Sequence, residues 1–146
     1  MVKIFSEKIS IPIVLFPGDV YQISEKADAL PYLSALSGRN TDYVIDQHTR
    51  TAKEISEMDI EITPTAYLLI DGGNSSAVAY VSKTTPMPQN QINLIENTVL
   101  ARVLQGKSLV YLNAGSGAKD KVSGEIISNC AKYDVPIIVG GGIRSI

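Results

Sequence analysis

Two stretches of the chain carry residue types suited to holding an anion. The first is Tyr111-Leu112-Asn113-Ala114-Gly115-Ser116-Gly117-Ala118, and the second is Val135-Pro136-Ile137-Ile138-Val139-Gly140-Gly141-Gly142-Ile143-Arg144-Ser145. Each follows a short apolar run that reads as a buried parallel strand. Each ends in glycines that let a ligand approach the backbone closely. One helix-length segment separates the two, so they read as adjacent strand tips whose backbone N–H groups form a phosphate cradle.

The elements that would position these tips follow from patterning. Ile11 to Phe16 is an apolar run closed by Pro17-Gly18 and reads as a strand and a turn. Ala27 to Leu36 is a second strand, ending at Ser37-Gly38-Arg39-Asn40. The gap from Asp19 to Lys26 is short for a crossover helix, so a loop or irregular extended piece is expected there. Thr41 to Glu57 reads as a helix with Val44, Ile45, Ala52 and Ile55 inward. Ile62 to Ile70 is a strand ending at Asp71-Gly72-Gly73, and Ser76 to Ser82 reads as a short extended segment. Gln91 to Gln105 is the clearest helix, with Ile92, Ile95, Val99 and Val103 on one face and Gly106 at its end. Leu109 to Leu112 is a strand, and Lys121 to Tyr133 a helix with Val122, Ile126, Ile127 and Cys130 on one face. Pro136 to Val139 is the last strand. Alternating strands and helices predict a parallel α/β fold, with ligand chemistry at the C-terminal strand ends. Five such tips carry polar or glycine-rich residues, which points to a barrel face. Neither a G-x-G-x-x-G turn nor a P-loop is present.

Composition narrows the function classes. The 146 residues are 45% hydrophobic and 19% charged, as in an ordinary globular domain. A formal net charge of -2 gives no electrostatic case for nucleic acid. No apolar run approaches the roughly 20 residues that span a bilayer. Met1-Val2-Lys3-Ile4-Phe5-Ser6 lacks the apolar core of a signal peptide. The single cysteine, Cys130, excludes an internal disulfide and a cysteine cluster for zinc, and reads as a core residue. A cytoplasmic protein fits these features.

Phe16-Pro17-Gly18, Leu36-Ser37-Gly38-Arg39-Asn40, Pro64-Thr65-Ala66-Tyr67, Tyr111 to Ala118 and Ile138 to Ser145 occur in this order. Together they resemble the geranylgeranylglyceryl phosphate synthases and the related bacterial heptaprenylglyceryl phosphate synthases, from about Ile11 onward. The resemblance implies a TIM (β/α)8 barrel, of which residues 1–146 form a single, partial domain covering roughly the third to seventh strands. A complete barrel needs about 200 residues or more, so a fragment or truncated frame is expected, with exposed apolar edges. The implied reaction joins a prenyl diphosphate, geranylgeranyl diphosphate by the family's pattern, to the primary hydroxyl of sn-glycerol 1-phosphate. It releases pyrophosphate and forms an ether-lipid precursor. The resemblance also implies magnesium, whose ligands fall on a strand not assigned here, together with self-association and contact with a membrane surface through the lipid substrate.

Residue by residue, Ser116, Gly141 and Gly142 resemble the positions that hold glycerol phosphate, against glycines serving tight turns alone. Tyr111 resembles a tyrosine that contacts the glycerol moiety, against an interior aromatic. Asn113 departs from the family, which carries glutamate as the base at that position. Asparagine orients a hydroxyl but cannot take its proton. With Tyr111 it makes up the candidate catalytic pair. Tyr67 is read as a channel-lining or core residue, and Arg39 and Arg144 as anion contacts or solvated side chains. Asp71 is read as a ligand or an ordinary turn, and His48 as polar helix surface. Two other readings stay open: a non-catalytic phosphate-binding or assembly module, and a barrel enzyme acting on another sugar phosphate.

Overall fold

The computed structural model describes residues 10–145, so the reading of Met1 to Ser6 lies outside the described residues. Four strands form one parallel sheet in the order β1-β2-β3-β4: β1 Ala29–Ala35, β2 Glu61–Leu69, β3 Leu109–Asn113 and β4 Ile137–Gly140. Tyr67 pairs with Tyr111 and Tyr111 with Ile138, while Leu69 pairs with Asn113 and Asn113 with Gly140. The helices are α1 Gln47–Ser56, α2 Ala77–Ser82, α3 Ile92–Val103 and α4 Gly124–Cys130. Sequential parallel strands joined through helices are the α/β arrangement that the alternating pattern predicts.

The alternation of side chains along each strand divides the sheet into two faces. Ala66, Leu68, Val110 and Leu112 point to one face and form a core with Ile95 and Val99 of α3 and with Val122, Ile126 and Cys130. Ile95, Val99, Ile126 and Cys130 are fully buried, at the positions their helical spacing predicts. The other face carries Tyr67, Tyr111, Asn113 and Ile138, and it bears the chemistry.

Three expectations change. Ile11 to Phe16 is not a regular strand: it joins the sheet by a single parallel bridge, Val14 to Ala29, with Leu15 N–H donating to the Ala29 carbonyl at 2.9 Å. Ser76 to Ser82 is helical, because the Ser76 hydroxyl caps the helix by accepting from Ala79 N–H at 3.2 Å. Lys83 ends that helix in the left-handed conformation, φ 52°. The helix over Thr41 to Glu57 opens with a π-turn at Asp42–Asp46. The wider turn rotates the side chains that follow, so Ile45 is 55% exposed and Ala52 faces solvent, while Thr51 and Ile55 are buried. The expected irregular piece after Pro17-Gly18 is present and holds one short 3₁₀ turn, Val20–Gln22.

Candidate functional site

The two glycine-rich tips interlock. Ala114 N–H donates to the Gly140 carbonyl at 2.8 Å. Gly141 and Gly142 have φ of +81° and +69°, a region that disfavours L side chains. A Cβ at position 141 would stand 2.7 Å from Gly115 N, and one at 142 would stand 2.8 Å from Asp120 O and Lys121 N. The β3 and β4 tips are thus packed backbone to backbone. Ser116 is exposed on the first tip. A shallow concavity beside the tips is lined by Lys119, Asp120, Lys121, Ser123, Gly142 and Arg144. Three cations and one carboxylate surround the glycine backbone there, a balance that leaves net positive charge for an anion. Ser123 caps α4 through Ile126 N–H at 3.3 Å, so the loops, and not that helix end, supply the free N–H groups.

Next to the tips lies a polar contact on the inner sheet face. Asn113 Nδ2 donates to Tyr67 Oη at 2.6 Å, and Asn113 Oδ1 accepts from Gly115 N–H at 2.9 Å. Gly115 N–H can only donate, which fixes the amide with its oxygen toward Gly115 and its nitrogen toward Tyr67. The Tyr67 and Tyr111 rings meet edge to face at 5.4 Å, and Phe16 stands edge-on to Tyr111 at 5.3 Å. Burial raises the Tyr67 hydroxyl above the usual phenol range, partly offset by the Asn113 hydrogen bond. Burial also raises Tyr111. Both phenols are protonated at neutral pH.

Tyr67 lines a mostly apolar cavity of about 350 Å³. Its walls come from the Phe16 to Ile23 segment, β1, the π-turn with α1, Tyr67 of β2, and α2. Tyr43, Thr51, Val78 and Val81 line it, and sequence reasoning missed all four. Only the spacing of Val78 and Val81, one helical turn apart, hinted at a common face. Tyr67 is thus both largely buried and part of the cavity lining, and it also touches the polar site.

The remaining candidates fall elsewhere. His48 is not free polar surface: Nε2 meets the Leu33 carbonyl at 2.6 Å and Nδ1 the Val44 carbonyl at 3.0 Å, and its ring lies on Tyr32 with centroids 4.4 Å apart. It fastens α1 to β1 and lines the cavity. Ser37-Gly38-Arg39-Asn40 is a structural junction, in which Ser37 Oγ accepts from Leu69 N–H and Asn40 Nδ2 donates to the Ser82 carbonyl at 2.7 Å. Arg39 is exposed beyond it. Asp71 accepts from Gly73 N–H in a turn. Cys130 is fully buried in the core, as expected. Among the described residues, no three His, Cys, Asp or Glu side chains gather to hold a metal. Asn113, the polar side chain at the inner tip of β3, is a neutral amide. The described residues by themselves therefore do not make a magnesium site.

The comparisons with known proteins agree with this arrangement. A model described as the PcrB family matches residues 1–146. The chain is 51% identical over 145 residues to a geranylgeranylglyceryl phosphate synthase of Zunongwangia profunda, covering 99% of this chain and 62% of that protein. It is 39% identical to one of Saccharolobus islandicus, covering 93% of this chain and 53% of that protein. The crystal structure of (S)-3-O-geranylgeranylglyceryl phosphate synthase from Thermoplasma acidophilum, in complex with its substrate sn-glycerol-1-phosphate, superposes with a TM-score of 0.91 at 34% identity. That match covers 98% of this chain and 57% of the solved one. The chain thus spans little more than half to three-fifths of the length of these relatives, and its sheet is part of their fold.

Proposed function

From the premise that the chain belongs to the PcrB family, we propose that it acts in joining a prenyl diphosphate, geranylgeranyl diphosphate first among them, to sn-glycerol 1-phosphate. The observation that carries the reading is the adjacency of two unlike sites through Tyr67. Tyr67 lines the apolar cavity and is hydrogen-bonded to the residue that braces the glycine-rich tip. An isoprenoid chain suits the cavity and a phosphate suits the tips, with Ser116, Gly141 and Gly142 as its backbone partners and Tyr111 against the glycerol.

In the proposed step, the primary hydroxyl oxygen of glycerol phosphate bonds to C1 of the prenyl chain. The C1–oxygen bond to the diphosphate breaks, and the diphosphate leaves with the electron pair. The hydroxyl proton passes to the departing pyrophosphate, because Asn113 has no basic lone pair to accept it. Asn113 instead holds the site together. Magnesium enters no step here, since the described residues do not gather its ligands. Contact with a membrane surface, self-association and a cytoplasmic site belong to the same proposal, because substrate and product are amphiphiles made from a soluble phosphate.

One observation favours a second reading. With an amide at position 113, the site is built to bind phosphate without a base for the transfer, as a binding module would be. The two readings part on one experiment. The full-length protein is incubated with radiolabelled sn-glycerol 1-phosphate and geranylgeranyl diphosphate, and the lipid phase is counted. Labelled ether lipid supports the transferase. Calorimetric binding of sn-glycerol 1-phosphate with no labelled lipid supports the binding module. Neither binding nor product removes both.

A further inference from the structure

We infer that Tyr67 is a hydrogen-bond donor to the diphosphate of the lipid substrate, and that Asn113 is the positioning residue that keeps its proton available. The inference rests on the proposed prenyl-diphosphate reading for the identity of the ligand, and on geometry for everything else. Asn113 Oδ1 is occupied by Gly115 N–H, so Nδ2 must face Tyr67 and donates to its hydroxyl oxygen at 2.6 Å. A hydroxyl that accepts from Nδ2–H still holds its own O–H. No other protein group is hydrogen-bonded to Tyr67 Oη among the described residues.

The direction of this bond matters. A carboxylate at position 113 would accept the Tyr67 proton and leave the phenol nothing to give. The amide reverses the polarity and frees the donor. Tyr67 is 6% exposed and forms part of the cavity wall, while its hydroxyl is held by Asn113 of the neighbouring tip, and on the proposed reading the head of a cavity-bound chain is set against that hydroxyl. The group there is the diphosphate, which gains negative charge as the C1–oxygen bond breaks. A donor preorganised in a water-poor site is worth most against such charge. Its loss therefore lowers kcat more than it raises KM.

Inorganic pyrophosphate is the probe that separates this inference from the transferase reading. Calorimetry on the full-length protein should give a pyrophosphate affinity that falls about tenfold in Tyr67→Phe. That variant keeps the ring and its packing. Asn113→Asp, of the same shape, should also weaken binding, because its carboxylate captures the phenol proton. The double variant decides the cause. If the introduced carboxylate acts through Tyr67, adding Tyr67→Phe to Asn113→Asp costs little more, whereas simple charge repulsion makes the two losses additive. Non-additive losses sustain the inference even where no prenyl transfer is found, in which case only the transferase reading falls. Equal pyrophosphate affinity in Tyr67→Phe and the parent protein, additive losses, or no pyrophosphate binding by the parent overturns it.

Discussion

Gly140 makes room for Tyr111. A Cβ at position 140 would collide with the Tyr111 hydroxyl oxygen and stand 2.9 Å from its Cε2. The small residue on β4 thus sets where the large one on β3 can stand. Gly140→Ala should push Tyr111 off its place and destabilise the fold by about 1–3 kcal/mol. Tyr111→Leu removes the atoms in conflict. In a urea double-mutant cycle, Gly140→Ala should then cost clearly less when combined with Tyr111→Leu than alone.

The cradle distinguishes two kinds of glycine. Gly142 combines φ +69° with backbone of Asp120 and Lys121 at 2.8 Å, whereas Gly117, at φ +72°, has nothing within 4 Å. Gly117→Ala should cost about 1–2 kcal/mol of backbone strain and leave sn-glycerol 1-phosphate binding nearly intact. Gly142→Ala should cost at least as much and also pry the β3 and β4 tips apart. Calorimetry should show its glycerol phosphate affinity reduced by about tenfold or more.

Val78 faces the cavity from α2. Val78→Phe should fill part of the roughly 350 Å³ with its ring and abolish binding of geranylgeranyl diphosphate. Geranyl diphosphate, half the length, should still bind. sn-Glycerol 1-phosphate should bind as before, because no residue of the two tips lines the cavity. Titrating the three ligands into the variant and the parent checks the division of the site.

Burial lifts the Cys130 thiol from 9.0 to about 11. The folded chain therefore keeps a proton that the unfolded chain gives up. The stabilisation is complete below pH 9 and is lost as the pH rises towards 11. The raised phenols of Tyr67 and Tyr111 act in the same direction at higher pH. Urea midpoints measured from pH 8 to 11 should fall, and Cys130→Ala should flatten the first part of that fall. A thiol reagent at pH 8 should leave Cys130 unmodified until urea unfolds the chain.

Where burial and period coincide, the sequence is enough. Ile95, Val99, Ile126 and Cys130 occupy the core at the spacings that announce them, whereas Val122, expected on the same helix face, is buried just ahead of the helix, which begins at Gly124; the strands end within a residue or two of their apolar runs. The tips were legible as glycine-dependent turns because Gly141 packs on Gly115 backbone and Gly142 on that of Asp120 and Lys121, where a Cβ has no room. Two kinds of feature were hidden. Ala77–Ser82 is rich in β-branched and aromatic residues and reads as extended, yet its caps make it a helix. The π-turn at Asp42–Asp46 leaves Ile45 and Ala52 outward while Ile55 stays buried, and no periodicity announces a change of pitch. The cavity was invisible for a third reason: its walls come from segments far apart in the chain, from Phe16 to Ser82, and no local pattern records that they face one another.

Gly38 at the end of β1 faces Thr84, and a Cβ there would stand 2.7 Å from the Thr84 Cβ and 2.9 Å from its Cα. Trimming Thr84 cannot make enough room, since its Cα alone is too close. Any side chain at position 38 must drive the 82–84 loop outward and break the bond from Asn40 to the Ser82 carbonyl. Ser82 ends α2, which walls the cavity. The missing Cβ is therefore a spacer of fixed thickness, a shim between two structural members. The width of the cavity beside α2 is gauged by an atom that is not there.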